Sequence, residues 1–156
     1  MKLRNLVAAI ATVVMFTGVS PLSPLKVSQA YAVNADQIAV TAGTAHTCAV
    51  VSGGVKCWGA NNYGQLGNGT NDYKGAPTDI IASGSGVTAI AAGQNHTCAV
   101  VSGGVKCWGF NLYGGLGDGT TANKKSPTDI IASGSGVTAI AAGQNHTCAV
   151  VSGGVK

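Results

Sequence analysis

A chain of 156 residues with a net charge of +4, 9% charged side chains and 24 glycines is long enough for one modest domain, and its regular β-branched runs argue against a disordered segment. The positive balance sits mostly at the start. Without residues 1–32 the chain loses Lys2, Arg4 and Lys26, keeps no arginine and carries +1, which excludes the basic footprint of a nucleic-acid binder.

In chain order, Lys2 and Arg4 precede a mostly apolar run at 6–19, and Ala30-Tyr31-Ala32 follows a short polar stretch. A charged start, a core too short to span a bilayer and an A-x-A-like site predict a secretory signal over residues 1–32, cleaved after Ala32. The first cysteine is Cys48, so a lipid anchor on a cysteine directly after the signal is not available. The expected product is extracytoplasmic, secreted or held at the cell surface, with no membrane span and a short linker at residues 33–37. From there a period governs the chain. Residues 77–106 return letter for letter at 127–156, and residues 38–59 align with 88–109 at the same offset. Self-similarity at this spacing marks units that bury their apolar faces by stacking on copies of themselves. The units are repeat 1 (38–86), repeat 2 (87–136) and a truncated repeat 3 (137–156). Lys156 stands where the earlier copies run on into Cys57-Trp58 and Cys107-Trp108, which reads as a fragment of a longer protein.

Within repeat 2, the runs VTAIAAG (87–93), TCAVV (97–101), VKCWG (105–109) and TDIIAS (128–133) favour strands and are separated by glycine, serine, asparagine and proline, with no helical period between them. Four short strands per unit predict an all-β partial propeller of four-stranded antiparallel blades, two complete and part of a third. A two-residue turn at Ser102-Gly103 places Cys98 opposite Cys107 at a non-hydrogen-bonded position, where facing Cα atoms lie about 4.5 Å apart and a disulfide fits. Cys48 and Cys57 repeat the arrangement. Export favours oxidation, so Cys48–Cys57 and Cys98–Cys107 are the expected bonds, with the partner of Cys148 beyond Lys156. The rival is a metal site, since His96, Cys98 and Cys107 share a hairpin face. Zinc spacing is usually C-x2-C, and neither metal nor cofactor is expected.

The run H-T-C-A-V-V-S-G-G-V-K-C-W-G-x-N-x-Y-G-Q-L-G at 46–67, repeated at 96–117 with Gly115 for the glutamine, resembles the regulator-of-chromosome-condensation repeat. The resemblance covers nearly all of the chain after residue 32. It implies a ring of about seven blades, of which the remainder would be further blades of the same full-length protein. It also supports a structural role for His46, His96 and His146, as residues that hydrogen-bond between strands. Trp58 and Trp108 are expected to pack between blades.

Catalytic residues are not expected, and the protein is read as a non-enzyme. The chain contains no glutamate, and Asp79 and Asp129, at equivalent positions near Pro77 and Pro127, suit turns better than acid–base work. The copies differ at nine positions between 60 and 76, including Ala60/Phe110, Asn62/Leu112, Gln65/Gly115 and Tyr73/Asn123. Loops on a rigid scaffold are where binding surfaces are tuned. The candidate binding residues are therefore Ala60, Asn62, Tyr63, Gln65, Tyr73, Phe110, Leu112, Tyr113, Lys124 and Lys125, against the alternative of drift in a solvent-facing loop. The function expected is recognition of a macromolecule, in first place a protein. The resemblance implies two other readings: a secreted propeller that docks onto β-lactamase as an inhibitor, and guanine-nucleotide exchange on a small GTPase, which export opposes.

Overall fold

The computed structural model describes residues 39–156; the expected signal segment, the whole linker and the first residue of repeat 1 lie outside them. The described residues form two four-stranded sheets and one three-stranded sheet, with no helix among them. The first blade comprises β1 (Ala39–Ala42), β2 (His46–Val51), β3 (Gly54–Gly59) and β4 (Lys74–Ile81), hydrogen-bonded in that order. The second repeats it as β5 (Val87–Ala92), β6 (His96–Val101), β7 (Gly104–Gly109) and β8 (Lys124–Ile131). The third holds β9 (Val137–Ala142), β10 (Thr147–Val151) and the two-residue β11 (Gly154–Val155). These antiparallel blades are the expected architecture. They do not close a ring in this chain.

Two local devices set the register. Ser102 and Gly103 both take positive φ, 49° and 73°, the geometry of a type I′ turn whose twist matches the flanking strands. Val101 is thereby paired with Gly104 and Cys98 with Cys107. The cysteines of each pair have Cα atoms 4.1 Å apart and are bonded, Cys48 to Cys57 and Cys98 to Cys107. The outer strand departs from expectation: it begins at Lys124, well ahead of Thr128, and carries Pro127 inside it. As the outermost strand of its sheet, β8 can hold a proline, which offers no N–H to a ladder, because no further strand pairs with its outer side.

The blades fan out from their first strands, since β5 adjoins β1 and β2 of the preceding blade and β9 adjoins β5 and β6. Apolar side chains fill the wedges. Between blades one and two, Val50, Val55, Leu66, Val87, Ala99 and Trp108 form one buried cluster; between two and three, Val100, Val105, Leu116, Val137 and Ala149 form the next. Trp108 is wholly buried there, whereas Trp58, at the leading face of the first blade, is half-buried. The antiparallel order puts the turns at 43–45 and 93–95, and the loops at 60–73 and 110–123, at one end of the blades. The hairpin tips at 52–53 and 102–103 lie at the opposite end, tied to the next linker by bonds such as Gly84 N to Ser52 O, 2.8 Å.

Candidate binding face

The loop after each W-G strand is built on one buried asparagine. Asn61 Nδ2 donates to Asn68 Oδ1 (3.0 Å), Thr70 O (2.9 Å) and Asp72 O (3.1 Å), while its Oδ1 accepts from Leu66 N at 3.0 Å. Asn111 repeats the pattern with Asp118, Thr120, Ala122 and Leu116. With both ends of the amide used, each loop is fixed without any regular ladder. Sequence reasoning met Asn61 and Asn111 only as motif positions of the resemblance and gave them no role. The available signal was that they stay unchanged within the one segment that varies.

The first loop is also seated on its neighbour. Gly64 approaches β8 so closely that an added Cβ would lie 2.8 Å from Lys125 Cα, and its φ of 82° favours glycine as well. Gly69 N donates to Lys125 O at 2.8 Å. At the inner side, the Thr97 hydroxyl donates to Gln65 O at 2.9 Å and accepts from His46 Nε2 at 2.9 Å. This bridge runs from one blade to the next and is repeated by His96 Nε2 and Thr147 Oγ1, also 2.9 Å apart. His46 and His96 thus join blades, whereas the His146 ring makes no such bond among the described residues and is exposed. With Nε2 carrying the proton, His46 Nδ1 is buried without a partner. Burial, assisted by nearby His96, pushes the His46 pKa down to about 4. Burial also lowers that of His96.

The candidate binding residues separate into two groups. Tyr63, Phe110 and Tyr113 come together: Tyr63 and Phe110 meet edge to face with ring centres 5.2 Å apart, and Phe110 meets Tyr113 in the same way at 5.7 Å. The row crosses from the first blade to the second. Tyr113, 70% exposed, opens the row to solvent; Leu112, 60% exposed, precedes it in the loop, and Asn62 is exposed at the position matching Leu112. Tyr73 is exposed at the far end of its loop, and Ala60 is half-buried.

Other residues behave differently from expectation. Gln65 is buried and inward-facing, its Oε1 accepting from Tyr63 N at 2.9 Å, so it supports the loop and offers nothing to a partner. Lys124 and Lys125 lie on β8, outside the loop. Lys124 Nζ is 2.9 Å from Asp118 Oδ2, whose side chain is 7% exposed. Burial alone would raise the Asp118 pKa, but Lys124, Thr120 and Asn111 outweigh it and hold the carboxyl well below the usual carboxylate range. Asp79 and Asp129 are strand residues in cross-strand ion pairs, each 2.6 Å from Lys56 or Lys106, and do not serve as turn residues. Among the described residues no cluster of three or more histidine, cysteine or acidic side chains converges as a metal site. No helix among them is long and apolar enough to cross a membrane.

Fanned four-stranded blades, a buried histidine linking each blade to the next and an asparagine-centred loop define a repeat protein of the propeller class. The chain belongs to the regulator of chromosome condensation (RCC1) repeat family: the repeat matches residues 52–100 and 102–150, and a second form of it matches residues 37–65 and 87–114. No curated protein matches the sequence. Among solved structures, human WBSCR16 shares 23% identity at a TM-score of 0.62, over 76% of this chain and 32% of that one. Saccharomyces cerevisiae Prp20p, described with its binding properties to Gsp1p and histones, shares 21% at 0.61, over 72% and 30%. Yeast Prp20 bound to Kap60 shares 21% at 0.59, over 77% and 29%. The chain therefore spans about a third of the length of the structures it matches, and the likeness is one of fold.

Proposed function

We propose that this protein is a non-enzymatic, extracytoplasmic binding propeller that grips a protein partner with the loop face at 60–73 and 110–123, centred on the row Tyr63, Phe110 and Tyr113. The single observation that carries this reading is the row itself. Aromatic rings stacked edge to face on a scaffold fixed by Asn61 and Asn111 offer large contact area with little entropy left to lose, which is how rigid aromatic anchors dominate protein interfaces. An oxidising, extracytoplasmic location is supported by the two disulfides and by the signal-like start. The fold relatives that bind Gsp1p and histones or Kap60 agree with a protein as the kind of partner, without naming it for this chain.

The test is capture of extracellular proteins on the immobilised chain, compared with a Y63A/F110A/Y113A variant and with a variant altered at Ser83 and Ser135 on the opposite end. Loss of the same bound protein from the aromatic variant alone is expected; equal capture by all three chains refutes the reading. The row also favours an inhibitor that docks on an enzyme such as β-lactamase, and inhibition lost in the same variant would identify it. Guanine-nucleotide exchange is checked by nucleotide release from a small GTPase, which is expected to be unaffected.

A further inference from the structure

The groove between the first two blades holds donors without acceptors. Gly67, Asn68, Lys74 and Ile80 of the first blade, with Ser126 and Pro127 of the second, line a cavity of about 600 Å³ that is open to solvent. Both walls belong to complete four-stranded blades.

The second loop shows how the same position looks when its charges are matched. Asp118 Oδ1 accepts from Asn111 Nδ2, Thr120 N and Thr120 Oγ1, and Asp118 Oδ2 lies 2.9 Å from Lys124 Nζ. In the first loop the same three bonds, from Asn61 Nδ2, Thr70 N and Thr70 Oγ1, fall on Asn68 Oδ1 at 3.0 to 3.1 Å. They fix the amide, so the donor Asn68 Nδ2 stands at the place of Asp118 Oδ2. Lys74 matches Lys124, yet among the described residues no carboxylate lies within ion-pair distance of it. An amide N–H and an ammonium thus occupy the positions at which the second loop joins a carboxylate to an ammonium. The acids nearby do not make up the difference. Asp79, part of the lining, is held by Lys56 at 2.6 Å, and Asp72 of the same loop lies outside the lining and pairs with no lysine. Against Gly67 lies Trp108 Nε1, a buried N–H that also lacks an acceptor.

We propose that this groove is a carboxylate-binding site that takes an acidic side chain of the protein gripped by the aromatic row. Lys74 Nζ and Asn68 Nδ2 donate to the incoming carboxylate, and the Ser126 hydroxyl on the facing wall is a further donor. Charge-assisted bonds of this kind are the strong ones, and a groove between blades is screened less than an open surface. The inference rests on the reading of the loop face as a protein-binding surface, which the groove adjoins: Gly64, next to Tyr63, is seated on Lys125, the residue before Ser126.

The isotope-labelled 156-residue chain is titrated with acetyl-Gly-Glu-Glu-Gly-amide, with its glutamine counterpart and with inorganic phosphate, and the backbone amide resonances are followed by NMR. Shifts at residues 67–70, 74–80 and 126 are expected with the glutamate peptide, which should bind roughly tenfold more tightly than the glutamine peptide. Asn68→Asp gives the first loop the acid of the second, so that Lys74 acquires an internal partner, and is expected to abolish the preference; Lys74→Gln is expected to do the same. The Y63A/F110A/Y113A chain is expected to keep it, so that failed protein capture with the peptide still bound would overturn the reading of the aromatic row and leave the carboxylate site standing. No preference for the glutamate peptide, a preference that survives both groove variants, or tighter binding of phosphate than of the peptide would overturn the proposal.

Discussion

The blade-linking histidines make stability depend on pH in a window where ordinary carboxylates do not titrate. His46 is buried, donates from Nε2 to Thr97 at 2.9 Å and has no partner at Nδ1, so a second proton would place a charge where no acceptor waits. Its pKa in the fold is about 4, against 6.5 for the free side chain. The folded value is the lower one, so the unfolded chain binds the proton first. The stabilising contribution is complete above pH 6.5, declines as pH falls and is gone once pH passes through about 4. The full difference is about 3 kcal/mol, and the part lost between pH 6.5 and 5 is about 2 kcal/mol. His96, lowered by burial in the same direction, adds to the loss. With urea slopes of about 1 to 3 kcal/mol per molar for a domain of this size, the unfolding midpoint should fall by roughly 1 to 2 M between pH 7.5 and pH 5. A H46Q/H96Q variant keeps an N–H for Thr97 and Thr147 without a titrating ring and should lose most of that dependence. A midpoint that does not move in the unaltered chain, or an equal fall in the variant, would refute the account of these histidines.

Two further expectations concern packing and the loop. Trp108→Phe should cost about 1 to 2 kcal/mol by urea unfolding, and Trp58→Phe a few tenths, because the two side chains share a strand position but Trp108 is wholly buried and Trp58 only half-buried among the described residues. Asp118→Asn should cost about 1 kcal/mol or less, since Asn68 makes the corresponding bonds in the first loop at 3.0 and 3.1 Å, whereas Asn111→Ala should cost about 2 to 4 kcal/mol by leaving Leu116 N and several loop carbonyls without partners. Hydrogen exchange across residues 110–123 would separate the two variants.

The repeat and its strands were legible because period-two runs bounded by glycine and proline carry their own signal, and the cysteine register followed from the tight turn at Ser102-Gly103. The ends of the outer strands were not. Pro127 and the lysines before it read as loop, because only a finished sheet shows which strand has a free edge. The candidate face was legible in part. Variation pointed to the segment that carries the aromatic row, but it could not tell Gln65, turned inward to hold Tyr63 N, from Tyr63 itself, since burial within a loop depends on partners that lie a blade away. Lys124 was misplaced for a related reason: its ion pair with Asp118 joins residues that the sequence presents as two separate surface charges.

Several differences between the two loops compensate inside the fold. Asp118, where the first loop has Asn68, brings a charge that Lys124 neutralises. Asn123, where the first loop has Tyr73, accepts from Asn111 N at 2.8 Å and so replaces an outward ring with an inward bond. The change from Ala60 to Phe110 is of another kind. Tyr63 and Tyr113 occupy the same position in successive units, and the ring that touches both is Phe110, at 5.2 and 5.7 Å. An alanine there cannot reach either tyrosine. A continuous aromatic surface across two blades therefore depends on one substitution between otherwise similar copies. The F110A exchange, which restores the residue of the first unit, removes the ring that touches both tyrosines and so tests the proposed contact surface directly.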